Sequence, residues 1–390
     1  MKRLTLKQKM QHLRRASKGY RQGGRIIHRV IMWYRGSSWR AKVPNTLDIR
    51  SFPKLMCFKR APQETLQALE YVRKSLHRNK TDRLWFKPNL KPQKEVTIRG
   101  YIAMDEVREI STSAALVLAA EYERKAIKMD ERAPLISVEK WDAGLLHKLD
   151  QIGFFKGFGY ERPAIDDESN YADVLTIPFY SGTKSEMQIV DQQLLKLVEH
   201  IDPGYQIDSN MVIALNSAVG EAATNTREHA YKKYHTFRYP HVGRWWATGA
   251  ASIRERQIVV SLYDQGVTIP VSYPRLPAFQ QLMATLNLFS SSPENQYAND
   301  AKLIQAATVH GNTGRNVGST VANKRIGGFG LPQIKDAINL CGGGSLMILS
   351  RGGRYIYTLD QGTRSEQLDT FDCSVGGTLI EWAVTLPEPV

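Results

Sequence analysis

Residues 219–231 read VGEAATNTREHAY, and the fold turns on this stretch. As part of a helix spanning roughly 209–232, it sets Glu221, Asn225 and His229 at i, i+4 and i+8, on one side of the cylinder. Met211, Val212, Ala214, Leu215, Ala218, Ala222 and Ala223 supply apolar surface beside them. Polar groups flanking the packed face of a long helix suit the wall of a pocket. They suit equally well the solvated side of an amphipathic helix. The chain beyond residue 232 decides between the two.

Three further pieces come after the helix, in order. Asp264, Gly266, Ile269 and Pro270 come just after a strand expected over 257–263. Gly327, Gly328, Phe329, Gly330 and Leu331 lead into a helix expected over 331–339. Gly376, Gly377 and Thr378 enter a strand expected over 377–386. A carboxylate at a strand end can accept a hydrogen bond from a purine amino group. Glycines let the backbone approach a nucleotide, and a glycine-rich turn before a helix offers free N–H groups to phosphate. An Asn oxygen can complete the shell of a magnesium ion that also touches phosphates. Glu221, one turn from Asn225, can orient or deprotonate an attacking hydroxyl.

The four pieces together resemble the ATP-binding domain shared by histidine kinases, Hsp90, type II topoisomerases and MutL, the GHKL or Bergerat fold. Among these, the helix with Glu, then Asn, then His and Tyr looks like that of the bacterial anti-sigma-factor serine kinases. The resemblance covers about residues 206–388 and implies an α/β sandwich, a mixed sheet with helices on one face. It implies ATP and Mg2+ as ligands, with Glu221 as general base and Asn225 as the metal ligand. It makes Asp264 the adenine acceptor, Gly266 the first glycine of the Asp box, Gly328 and Gly330 the glycines of the second box, and Thr378 the residue backing the adenine pocket. His229 stays open between a packed or capping histidine and a catalytic one. Two departures stand out: Thr268 replaces the second glycine of the Asp box, and the lid, about 271–325, is long. Arg315, Lys324 and Arg325 in that lid are within sequence reach of a triphosphate.

The expected activity is that of a magnesium-dependent regulatory enzyme, either hydrolysing ATP or transferring its γ-phosphate to a Ser or Thr of a protein partner. The alternative is a non-hydrolysing, ATP-gated binding protein in a regulatory or defence system. No histidine-bearing dimerisation helix of the sensor-kinase type is evident in the sequence. A protein partner is expected, and a homodimer is left open.

The net charge of +15 is concentrated in residues 1–43, which hold 13 Lys or Arg and no Asp or Glu. The rest is close to neutral, so the charge describes an arm and not the whole molecule. In the arm Tyr20, Trp33, Tyr34 and Trp39 are interleaved with the basic residues. That pattern fits a nucleic-acid contact, a partner or membrane-surface helix, or a solvated arm docking a few aromatics. Helical potential precedes Gly23, and an apolar-basic piece spans 26–34.

Residues 44–205 read as a smaller α/β domain. Helices are expected over 63–77, 113–128, 143–152 and 190–199, with short strands at 47–49, 85–90, 96–98, 134–138 and 174–179. In 113–128 the residues Glu121, Glu123, Arg124 and Lys125 supply a polar side. Strand–helix alternation followed by Gly153, Phe154 and Phe155 loosely resembles the STAS fold of anti-anti-sigma regulators. In those regulators a hydroxyl at a helix start can be phosphorylated; Ser111, Thr112 and Ser113 are the nearest here, and an N-cap role competes. Beyond 206, strands are expected over 247–253, 257–263, 345–350, 354–359 and 377–386, with lid helices at 279–288 and 299–309.

The apolar run 112–122 is too short to cross a bilayer, and a cytoplasmic, non-membrane protein is expected. Cys57, Cys341 and Cys373 are too far apart in sequence for a disulfide framework or a metal cluster.

Overall fold

The computed structural model describes residues 30–35, 38–42, 52–77, 85–86, 96–98, 102, 104–129, 133, 135, 137–165, 172–183, 188–201, 203–204, 220, 222–224, 226, 230–232, 234–275, 297–309 and 330–386. In chain order the strands are β1 Val30–Arg35, β2 Ser38–Lys42, β3 Leu55–Met56, β4 Trp85–Phe86, β5 Val96–Ile98, β6 Glu109–Ile110, β7 Val174–Thr176, β8 Tyr180–Gly182, β9 Trp245–Ser252, β10 Gln257–Asp264, β11 Gly344–Ser350, β12 Gly353–Asp360, β13 Thr363–Thr370 and β14 Thr378–Thr385. The helices are α1 Pro62–Leu76, α2 Thr112–Met129, α3 Ala143–Gln151, α4 Phe154–Phe158, α5 Gln188–Ile201, α6 Ile269–Ser272, α7 Asp300–Val309 and α8 Gly330–Leu340.

The chain divides into two units, one drawn from 1–51, 78–103 and 134–138, the other from 52–77, 104–133 and 139–390. In the first, β2-β1-β5-β4 form an antiparallel sheet, with Trp33 opposite Arg40 and Val30 opposite Ile98. Part of the basic arm is therefore sheet. Its Val30, Ile31, Trp33 and Tyr34 are β-branched or aromatic residues that favour strands.

The second unit is built on one large sheet in the order β13-β12-β11-β14-β10-β9-β7, with β8 also on β9. Each of its pairings is antiparallel, which corrects the expected mixed sheet. Helices lie on both faces, which corrects the expectation of one covered face. On one face Ile258, Val260, Leu262, Leu346, Ile348, Ile380 and Trp382 pack with Leu194 and Leu197 of α5 and Ile334 and Ile338 of α8. Trp246, next in sequence to Trp245 and hence on the opposite face, bonds through its indole N–H to Glu123 of α2. The run from Ala114 to Ala120 in α2 is buried all round, as a helix between a sheet and further layers must be.

This layering changes how residues 52–201 divide. The boundary expected at residue 205 is crossed by the large sheet, because β7 and β8 pair with β9. They form one edge, linked by the Ile177 N–H to the Gly249 carbonyl at 2.9 Å and interrupted at Pro178. The separate parallel pair β3–β6 contributes only two short strands. Expected strand 47–49 and lid helix 279–288 lie outside the described residues. Of 134–138, the described Leu135 and Ser137 are not in a strand, and a short helical turn, Val138–Lys140, follows.

Helix ends follow local chemistry. The Ser111 Oγ accepts from the Ala114 N–H at 3.2 Å, while Thr112 and Ser113 are buried, so this hydroxyl cluster starts α2 as a cap. Gly153, at φ +81°, ends α3 in the left-handed conformation that glycine accepts without strain.

Candidate functional site

Asp264 ends β10, opposite Thr378, the first residue of β14. Thr378 in turn stands opposite Ser350, the last residue of β11. The three side chains form a row across three adjacent strands. They lie on the face that carries Leu262, Ile380 and Ile348, because residues two apart on a strand share a face. The Ser350 and Thr378 hydroxyls are 2.8 Å apart, and Ser350 Oγ accepts from the Ile269 N–H at 2.9 Å.

The Asp264 carboxylate is buried. It accepts from the Gly266 N–H at 2.8 Å, from the Thr226 hydroxyl at 3.4 Å, and from the Thr378 backbone N–H. Burial pushes its pKa up to about 7, and these three donors work in the opposite direction without cancelling it. An ionised carboxylate offers about four lone-pair sites, so the group keeps acceptor capacity for a further donor.

The two flanking glycines hold this corner together by close approach. A Cβ on Gly377 would fall on the Asp264 backbone carbonyl, and one on Gly266 would fall on Ala230. The Val267 N–H donates to the Ala230 carbonyl at 2.5 Å. The described part of the 219–231 stretch is thereby docked on the Asp264 loop. Gly220, Ala222, Ala223 and Thr224 are helical, and Thr226 and Ala230 belong to a wider helical turn. Ala222 and Ala223 enter the main core.

Thr268, where the resemblance expects glycine, adopts φ −75° and ψ 157°, an extended conformation open to any residue. It precedes the short α6, and its carbonyl accepts from the Val271 and Ser272 N–H groups, each at 3.0 Å. The missing glycine therefore causes no backbone strain.

A scan of protein-family models and a search of curated proteins found no match to this chain.

Asp264, Gly266 and Thr378 are brought together within this corner. Gly330 opens α8, which packs on the same core through Ile334 and Ile338. Glu221, Asn225, His229 and Gly328 lie outside the described residues, as do Arg315, Lys324 and Arg325 of the lid. Asn225 is the expected magnesium ligand, and among the described residues no group of three or more His, Cys, Asp or Glu could hold a metal ion. Of the lid, α7 is described. Asp300 at its start is buried and accepts from Arg351, at 2.8 Å from Nε and by a second contact from Nη2, and from the Gly352 N–H at 3.0 Å.

Sequence reasoning passes over Ser350 and Thr226. Ser350 bears no mark beyond ending an expected strand. Thr226 comes directly after Asn225, and only the Asp264 loop lying against it reveals its use.

Proposed function

We propose that this chain binds Mg-ATP in a Bergerat-type pocket and uses it for hydrolysis or for γ-phosphate transfer to a protein Ser or Thr. The observation that carries the proposal is the buried Asp264 carboxylate at the end of β10, in one row with Thr378 and Ser350. An adenine amino group is a neutral donor that matches its spare acceptor capacity and would favour its ionised form. The docking of Ala230 on the Asp264 loop supports a site that also includes the rest of the 219–231 helix.

Asp264 would receive the base amino group, with Thr378 backing the base. Asn225 and the nucleotide phosphates would hold magnesium, whose contribution is to offset phosphate charge. Glu221 would take the proton from the attacking water or hydroxyl. Gly328 and Gly330 would bring backbone N–H groups towards the phosphates at the start of α8.

The test is nucleotide turnover and phosphate transfer by wild type and Glu221→Ala, with ATP binding measured in parallel. The expected result is activity in wild type and a loss of about 100-fold or more in the variant, with binding retained. Binding in wild type without turnover or transfer would replace the enzyme with an ATP-gated binding protein. No ATP binding at all would remove both.

A further inference from the structure

We infer that Arg73 is a positioning residue for the base-binding edge of the site, which makes the α1–α2 layer part of that site. The inference rests on the nucleotide reading of Asp264.

Arg73 lies on α1 and is buried. Its guanidinium reaches the turn that leads into β14, about 300 residues on. Nη2 donates to the Val375 carbonyl at 2.5 Å and Nη1 to the Ser374 carbonyl at 3.3 Å. The Tyr263 hydroxyl, beside Asp264, donates to the same Val375 carbonyl at 3.1 Å. Gly376 comes next at φ +83°, and a Cβ there would fall on the guanidinium. Gly377 packs on the Asp264 carbonyl, and Thr378 then presents its N–H to the carboxylate. Arg73 thus holds Ser374, Val375 and Gly376, the residues whose path leads through Gly377 to Thr378 and Asp264.

The guanidinium is itself fixed. Nε donates to Glu121 of α2 at 2.9 Å, and Nη1 also donates to Glu70 at 2.8 Å. Arg124 pairs with the other Glu121 oxygen and donates through Nε to His77 at 3.1 Å. Burial opposes the Glu121 charge, but Arg124 and Arg73 hold its pKa well below the usual carboxylate range. A planar fork with five N–H groups can meet two carboxylates and two carbonyls together, which a lysine ammonium cannot reproduce. A lysine at 73 keeps the charge but loses the fork, leaving part of this set of acceptors unmet.

The test uses the full chain with Arg73→Lys, and reads ATP, ADP and inorganic tripolyphosphate affinity by calorimetry alongside amide exchange over 373–379 without ligand. The expected result is faster exchange over 375–379 and about tenfold weaker ATP and ADP binding, with tripolyphosphate binding unchanged. A purely structural role would lower the melting temperature and leave the ratio of ATP to tripolyphosphate affinity as in wild type. That unchanged ratio, or unchanged exchange over 375–379, overturns the inference. If wild type does not bind ATP, the nucleotide reading fails separately, and exchange alone decides whether Arg73 holds the turn. Should Arg73→Lys not fold, Glu121→Gln, which keeps shape and removes the fixing charge, is read by the same measurements.

Discussion

Thr378 faces Asp264 in register and serves two neighbours at once: its backbone N–H bonds the Asp264 carboxylate, and its hydroxyl meets Ser350 at 2.8 Å. Through Ser350 the contact extends to the Ile269 N–H at the start of α6. One threonine therefore couples the buried carboxylate to the loop that comes after it, across three strands.

Ser350→Ala removes the acceptor of the Ile269 N–H and the partner of the Thr378 hydroxyl. An unsatisfied buried donor costs about 1–3 kcal/mol. Urea denaturation should show a loss of that size with the slope of the transition unchanged.

Asp264 titrates at about 7 in the folded chain against 3.8 for an unperturbed Asp. Between these values the folded state holds more proton, so stability contributed by this group falls as pH rises from about 4 to 7 and is flat above. The span corresponds to roughly 4 kcal/mol at 1.36 kcal/mol per unit. Asp264→Asn removes that penalty. The Thr226 hydroxyl can then turn to the Ala222 carbonyl, 3.2 Å away, and accept from the new amide. Denaturation midpoints at pH 5 and pH 8 should converge in the variant, and the variant should be the more stable protein at pH 8.

Gly376→Ala and Gly377→Ala should both destabilise, for different reasons. At Gly376 the backbone sits at φ +83°, which costs a residue with a Cβ about 1–2 kcal/mol, and the new methyl also meets the fixed Arg73 side chain. At Gly377 the new methyl meets the Asp264 carbonyl itself, and backbone must move, costing about 1–3 kcal/mol or more. In ligand titrations, the Gly377 variant should lose nucleotide affinity by the larger factor.

Asp300→Ala strips Arg351 and the Gly352 N–H of a buried carboxylate. Arg351 itself stands at φ +56°, and its N–H donates to the Gly377 carbonyl at 3.2 Å. Asp300 is buried and Arg351 only half-buried, so the loss is set mainly by the Gly352 N–H left without its acceptor, about 1–3 kcal/mol. Calorimetric unfolding should show the loss, and amide exchange should rise in α7 and at residues 351–353.

Much of the second unit is legible in the sequence because short runs rich in apolar residues mark β9, β10, β11, β12 and β14, and helical spacing marks α1, α2, α5, α7 and α8. β13 escapes because its residues, Thr363, Arg364, Ser365, Glu366, Gln367, Leu368, Asp369 and Thr370, lie on an exposed edge with almost no apolar signal. The β1–β2 hairpin is hidden by its basic residues, which suggest an arm when read for charge alone. Within the site, Asp264, Gly266 and Thr378 stand out as punctuation after or before strands. Arg73, Glu121 and Arg124 do not: at i and i+3, Glu121 and Arg124 look like a solvated helix face. In the fold that face is buried, with Arg73 of α1 paired to Glu121 and Arg124 lying against Tyr239. Contacts some 300 residues apart leave no local pattern to read.

Calorimetric titration of ATP with magnesium at pH 8, into wild type and Asp264→Asn, is the decisive measurement for a nucleotide held by the buried carboxylate. Saturable binding by wild type is expected, with a loss of about tenfold or more in the variant, which keeps its fold. Absence of binding by wild type, or equal affinity in the two proteins, would contradict that role for Asp264.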